Sequence, residues 1–176
     1  MRVIFPIGNG YIVGNLLTIV KMIPENDVEL LARLRGGVRG RITDIAREMR
    51  LPISTVYDKM LRHRREGIIK REVMLLDFAK LGYHSVALVA IKVSGGKRKA
   101  LQDHLMAHPN INSLYRVSYG HDFVAEVVVK NPAQLQDFLD DLELRFETGK
   151  PLVFSVVDEM RKESFLGKKA EGSNGV

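Results

Sequence analysis

Apolar residues recur at intervals of three and four in the first half of the chain, a spacing typical of helices with one buried face. The first predicted helix lies within residues 24–36, between a proline with acidic neighbours and a pair of glycines. The second is expected to follow Thr43 as its N-cap and to end before Pro52, since proline disfavours helical geometry in the preceding residue.

A third helix is predicted from about residue 53 to residue 66. Its Val56, Met60 and His63 follow one another at spacings of four and three, so they are expected to face inward. Residues 68–77 are apolar at both ends with charge between, which favours an extended wing. Three short helices followed by strands predict a winged helix-turn-helix, with the outer face of the third helix entering a DNA groove.

The second half of the chain has a different pattern, in which longer apolar runs alternate with two amphipathic stretches. The predicted order is strand 83–93, helix 95–109, strands 111–119 and 122–130, helix 131–146 and strand 151–160. This βαββαβ order predicts a ferredoxin-like sheet with both helices on one face. The fold class is therefore α+β.

The strands of this half are apolar on both faces. Residues 86–93, 123–129 and 152–157 are apolar at nearly every position, whereas a sheet with one face in water should alternate. We therefore expect a homodimer in which the C-terminal sheets of two copies pack together about a two-fold axis.

The two ends of the chain are less regular than its middle. Residues 1–22 are interpreted as a short hairpin turning at Gly-Asn-Gly, or as sequence that precedes a natural start at Met22. Their apolar stretches are too short to span a membrane, and a signal peptide is not expected. The predicted division is an extension at 1–22, a DNA-binding domain at 23–76, a linker at 77–82, an effector-binding and oligomerisation domain at 83–160 and a flexible tail at 161–176.

Charge is distributed unevenly between the two halves. The formal net charge is +6, and residues 33–71 alone carry 12 Lys/Arg against 4 Asp/Glu. This concentration of positive charge favours a module that binds nucleic acid. The chain has no cysteine, which excludes disulfides and thiolate metal sites and fits a cytoplasmic protein.

Several short motifs occur in a specific order and spacing. They are Ser54-Thr55-Val56, the run from Glu66 to Ile69, Asp77 followed by Leu81-Gly82, and the turn in "VSYGHDFVAEVVVKN". Over about residues 23–160 the sequence resembles the Lrp/AsnC family of feast/famine transcriptional regulators. His63 departs from the family pattern, which usually has leucine at this position, and Asp58 stands where a basic or polar residue is common.

The resemblance implies a dimer that often assembles further into tetramers or octamers. It also implies binding of double-stranded operator DNA through paired recognition helices, and a response to an amino acid or related small molecule. The effector is expected at the turn and on the last strand, at Tyr119, Gly120, His121, Asp122 and Ser155. An alternative for Asp122 is a purely structural role in which it accepts hydrogen bonds from backbone amides.

Early residues of a recognition helix usually contact base edges, and later basic residues contact phosphates. The residues predicted to bind DNA are Arg41, Ser54, Thr55, Tyr57, Asp58, Lys59, Arg62, Arg65, Lys70 and Arg71. No catalytic constellation, metal site or cofactor is expected, since His104 and His108 lack a third ligand. The alternative function is an architectural protein that coats DNA with little sequence preference.

Overall fold

The computed structural model describes residues 4–7, 10–13, 19–21, 23–36 and 42–166, and for the first three segments only the backbone is described. The chain divides into two compact units. The N-terminal unit comprises Met1–Val73 together with Arg161–Val176, and the C-terminal unit comprises Met74–Met160. The predicted flexible tail lies outside the described residues from Gly167 onward.

The N-terminal unit begins with three short antiparallel strands, β1 (Ile4–Ile7), β2 (Gly10–Val13) and β3 (Ile19–Lys21). The expected hairpin corresponds to β1 and β2, because Ile7 pairs with Gly10. The two residues between them lie outside the described residues, and so does Met22.

Three helices follow: α1 (Glu25–Arg35), α2 (Ile42–Glu48) and α3 (Ile53–Arg65). Their apolar faces meet in a small core formed by Leu30, Ile45, Ala46, Val56 and Met60. Burying one such large side chain contributes roughly 1.5–3 kcal/mol, so this core fixes the face that each helix turns inward. His63 is buried beside it, as the spacing predicted.

Two local predictions in this unit are wrong. Thr43 is not the N-cap of α2, because the helix already includes Ile42. The wing strand is also absent, since residues 68–77 contain no strand. The reason is that no second strand lies between Gly67 and Ser85 to pair with it, and the apolar residues of this stretch other than Ile69 are exposed.

The C-terminal unit has the predicted βαββαβ order, which confirms the α+β class. Its elements are β4 (Ser85–Ile91), α4 (Arg98–Ala107), β5 (Ile111–Arg116), β6 (Phe123–Val129), α5 (Pro132–Phe146) and β7 (Leu152–Ser155). The strands form one antiparallel sheet in the order β5-β6-β4-β7. The first and last strands of this unit, β4 and β7, therefore lie side by side, and β5 and β7 form the edges.

One face of this sheet packs against both helices. Val89, Phe123 and Val127 on the sheet contact a core that includes Leu101 of α4 and Leu142 of α5. Because side chains alternate along a strand, the intervening residues lie on the opposite face. No helix among the described residues is long and apolar enough to cross a membrane.

Candidate nucleic-acid interface and ligand site

Helix α3 buries one side and leaves the other side open to solvent. Val56, Met60 and His63 are buried, whereas Tyr57 and Leu61 are each 50% exposed. Other exposed residues of the helix are Ile53, Ser54, Asp58 and Arg65. The helix therefore presents a surface of mixed apolar and polar character along its full length.

The two ends of α3 are set by local sequence. Pro52 is the N-cap residue, and no side chain caps the first turn, so Ser54 does not serve as the cap. At the other end Gly67 has a φ of 71°, a conformation that a residue with a side chain adopts at a cost. The amides of Ile68 and Ile69 then both donate to the His63 carbonyl, at 2.9 and 3.1 Å, which closes the helix.

Two of the basic side chains of α3 bind a buried carboxylate. Asp27, in the first turn of α1, is 0% exposed and accepts hydrogen bonds from Lys59 and Arg62. The His63 Nε2 atom lies 3.2 Å from an oxygen of the same carboxylate. Burial tends to raise the pKa of Asp27, but Lys59, Arg62 and His63 together hold that pKa below its usual value.

The remaining predicted DNA contacts are in different surroundings. Arg65, Lys70 and Arg71 are exposed and form no ion pair with another described residue. Thr55 is half-buried. Arg41 lies outside the described residues.

The turn between β5 and β6 contains four of the predicted effector residues. Tyr119 is 99% exposed and has a φ of 64°, and Gly120 has a φ of 94°. His121 and Asp122 are half-buried. Backbone in this left-handed region is uncommon for residues other than glycine, so the turn holds the Tyr119 side chain outward at an energetic cost.

Asp122 is fixed by bonds within the C-terminal unit. Its carboxylate accepts from the Val93 amide at 3.0 Å and from the Arg98 Nε at 2.8 Å, and its own amide donates to the Ile91 carbonyl. The hydrogen bond from Val93, helped by Arg98, holds the pKa of Asp122 below its usual value although burial opposes this. The bond from the Val93 amide is of the kind that the structural interpretation of Asp122 requires.

The structure does not bring Ser155 to the turn within one chain. Ser155 pairs with Ala87 on β4, whereas Phe123, directly after the turn, pairs with Ile91. Four residues of strand separate the two positions, a distance of about 13 Å along β4. Ser155 and Tyr119 are therefore candidates for one ligand site only if two chains contribute to it.

The face of the sheet opposite the helices is apolar and open. Leu88 pairs with Phe154 across neighbouring strands, and these side chains lie on this face, 40% and 54% exposed. Its polar centre is Glu126, whose carboxylate accepts from Asn112 Nδ2 and Ser113 Oγ, each at 2.8 Å. This surface is suited to a second apolar layer.

His104 of α4 and His108, the residue that follows this helix, pack against aromatic rings. His104 lies 5.1 Å from the ring of Phe146, and His108, directly after α4, lies 5.0 Å from that of Phe138. Burial lowers the pKa of His108, and the neighbouring His104 lowers it further. In the part of the chain that the structure describes, no three His, Cys, Asp or Glu side chains converge as a metal site would require.

Asp27 is the residue of this region whose role the sequence did not indicate. Acidic residues near Pro24 were interpreted only as a helix start signal. Asp27 is nevertheless three residues before Leu30 and seven before Leu34, which places it on the buried face of α1. A carboxylate at such a position requires a partner, and this spacing is the signal that could have found it.

Comparison with known proteins agrees with this architecture. Residues 86–147 match the family model described as the Lrp/AsnC ligand binding domain. The C-terminal unit is therefore similar to the Lrp/AsnC ligand-binding domain. The resemblance predicted from the sequence motifs is thereby confirmed.

The similarity to known proteins extends beyond this domain. HTH-type transcriptional regulator FL11 of Pyrococcus horikoshii is 27% identical over 118 residues, covering 67% of this chain and 78% of FL11. An uncharacterised HTH-type transcriptional regulator of Pyrococcus furiosus is 28% identical over 141 residues, covering 80% of this chain and 95% of the relative.

Solved structures share the fold at lower identity. Bacillus subtilis LrpC has a TM-score of 0.71 at 17% identity, covering 79% of this chain and 97% of its own. The transcriptional regulator NMB0573 of Neisseria meningitidis, solved as a complex with L-Met, has a TM-score of 0.73 at 14% identity, covering 80% of this chain and 94% of its own.

Proposed function

We propose that this protein is a sequence-specific DNA-binding transcriptional regulator that responds to an amino acid or a related small molecule. The observation that carries the proposal is the open face of α3, whose opposite face is consumed by the three-helix core. Curated relatives that align with most of the chain are HTH-type transcriptional regulators. The proposal assigns no catalytic step and places the protein in the cytoplasm with its DNA.

In this proposal α2 and α3 form a helix-turn-helix, and α3 is the recognition helix. Ser54, Thr55, Tyr57 and Asp58, near its start, face base edges in the major groove. A carboxylate such as Asp58 can accept from the amino group of cytosine, and an aromatic ring can contact the methyl group of thymine. Arg65, Lys70 and Arg71 contact phosphates on the flanking backbone, with Lys59 and Arg62 at the edge of the same surface.

We also propose that a second copy covers the open face of the C-terminal sheet. Its apolar side chains are too exposed for an isolated chain, and a two-fold pair of sheets would bury both faces together. Such a dimer would provide the two recognition helices that a palindromic operator requires. The small-molecule effector would bind near the turn of Tyr119, with Ser155 contributed by another chain.

The test is selection of bound sequences from a random duplex pool, with and without a panel of free amino acids. We expect enrichment of a two-fold symmetric motif whose half-sites are separated by about one helical turn, or a multiple of it. One of the amino acids should change the selected motif or its affinity. Equal binding of selected and random duplexes would instead favour the architectural protein that coats DNA.

The variant Arg65→Gln tests the assignment of α3 directly. Loss of one phosphate contact should make log K depend less steeply on log salt, by about 0.9 per contact. Arg145→Gln is a matched control, because Arg145 is an exposed arginine near the end of α5 in the other unit. If both variants bind duplex like the wild type, Arg65 is not at the interface.

A further inference from the structure

Asp27 lies beneath the surface that the proposed function assigns to DNA. Its carboxylate oxygens are divided between two cations: one oxygen accepts from the Lys59 ammonium and the other from the Arg62 guanidinium. Both cations are on α3, whereas Asp27 is on α1. The carboxylate thus connects the recognition helix to the helix behind it.

The exposure of the three side chains differs in an informative way. The Asp27 side chain is 0% exposed, while those of Lys59 and Arg62 are 24% and 43% exposed. The cations therefore reach the protein surface, but their charged groups are directed inward to the carboxylate. Leaving a buried carboxylate without its cationic partners is strongly unfavourable, so neither cation is free to leave at low cost.

We propose that Asp27 keeps Lys59 and Arg62 from binding DNA phosphates and so limits non-specific DNA binding. The inference rests on the proposed function, because it requires that α3 lies against DNA. The carboxylate cancels one of the two positive charges, and a cation that moved to a phosphate would leave one oxygen of the buried Asp27 without its partner. Arg65, on the same helix, has no ion pair with another described residue and is available for phosphate.

The consequence for binding can be measured as a salt dependence. Each phosphate neutralised by a protein cation steepens the slope of log K against log salt by about 0.9. Removing the Asp27 charge should release two cations and steepen the slope by roughly 1 to 2, mainly for random duplex. Sequence selectivity should fall, because phosphate contacts carry no base information.

The experiment is titration of labelled random and selected duplexes with wild type and Asp27→Asn at several salt concentrations. We expect Asp27→Asn to bind random duplex about tenfold more tightly at low salt, with the steeper slope. Glu25→Gln is the matched control: it removes one negative charge from the same turn of α1, where Glu25 is exposed and pairs with no described cation. Its slope should equal that of the wild type.

A folded Asp27→Asn variant, verified by circular dichroism, overturns the inference if its affinity and slope equal those of wild type or Glu25→Gln. If this variant does not fold, the comparison of Arg62→Gln with Arg65→Gln decides. We expect the slope to fall by about 0.9 for Arg65→Gln and by less than half of that for Arg62→Gln. Equal reductions would show that Arg62 contacts phosphate and would refute the inference.

The results also separate this inference from the proposed function. If wild-type protein binds duplex and the salt slope of Asp27→Asn is unchanged, the result contradicts the role of Asp27 but not the proposed function. Absence of duplex binding by wild type and by Asp27→Asn contradicts both.

Discussion

At the scale of single residues, carboxylates with distant partners organise both units of this protein. Asp27 binds two side chains of another helix, and Asp122 joins the turn before β6 to Val93 and Arg98. The sequence indicated the turn at Tyr119 to Asp122 because its residue types favour turns. It could not indicate the partners of Asp122, which are 29 and 24 positions away, since no local pattern reports a contact at that separation.

The inward position of His63 was predictable from spacing, but its partner was not. The periodicity placed it with Val56 and Met60, and all three are buried. A family pattern with leucine at this position gave no reason to expect a carboxylate beside the ring. The polar contact at 3.2 Å depends on Asp27, which is 36 residues earlier in the sequence.

We expect Asp122→Asn to destabilise the C-terminal unit by roughly 1–2 kcal/mol at pH 7, because the carboxylate accepts a charge-assisted bond from Arg98 and one from a backbone amide. The folded-state pKa of Asp122 lies below the ordinary value of 3.8. Its contribution to the free energy of unfolding is therefore complete above that value and is lost as the pH falls through the folded-state pKa.

Urea unfolding at pH 7 and near pH 3 measures this difference. The gap between wild type and Asp122→Asn should narrow at the lower pH. Asp103→Asn is the control, because Asp103 forms an exposed ion pair with Lys99 four residues away. A gap that is unchanged across this pH range would assign the effect of Asp122→Asn to something other than its charge.

At the scale of helices and strands, the best predicted element is α5. Asparagine is a favoured N-cap and proline a favoured first helical residue, and the structure has Asn131 and Pro132 in these positions. The apolar stripe from Leu135 to Leu142 packs into the core as predicted. Here the capping signal, the proline and the periodicity all favour the same helix, so the prediction did not depend on distant contacts.

The wing was predicted less well because a strand, unlike a helix, needs a partner. Residues 68–77 have an extended pattern, but a strand is defined by hydrogen bonds to a neighbour that the local sequence does not specify. Lys70 and Arg71 therefore lie on an irregular segment. Their assignment to DNA stays a prediction.

Replacing Asn131 by alanine should reduce the free energy of unfolding of the C-terminal unit by about 1 kcal/mol. The Asn131 side chain accepts from the Gln134 amide at 3.0 Å, and alanine would leave that amide without its partner. Asn131→Ser retains an acceptor oxygen and is expected to recover most of the loss. Thermal unfolding of the three proteins measures the effect, and equal stability of the alanine and serine variants would contradict it.

At the scale of the whole molecule, the pattern of apolar positions changes between the two halves of the chain, which predicted two units. The concentration of positive charge in the first half indicated which unit would bind nucleic acid. The apolar character of both sheet faces also suggested a partner for the outer face. Leu88 and Phe154 show the reason. Both remain substantially exposed in the single chain, although Leu88 lies on a strand whose opposite face is buried at Ala87, Val89 and Ile91. What the sequence could not provide is the number of copies in the assembly.

We expect Leu88→Glu to dissociate the proposed dimer, because it places a second carboxylate between Glu126 and Phe154, where a partner sheet would remove it from water. Sedimentation velocity should show a monomer at concentrations where wild type is a dimer or a larger assembly. Affinity for a two-half-site duplex should fall with it, since one recognition helix would be lost. Leu144→Glu alters a more exposed leucine on α5 and should leave the assembly unchanged.

Glu126 has a consequence for how two such faces could fit together. A layer made only of aliphatic and aromatic groups tolerates many offsets, because sliding it changes the buried area little. The Glu126 carboxylate, which is held by Asn112 and Ser113, permits fewer offsets between the two sheets. Most offsets would place it against hydrocarbon and remove its water. The acid would thus restrict two copies to the few alignments in which its oxygens stay solvated or hydrogen-bonded.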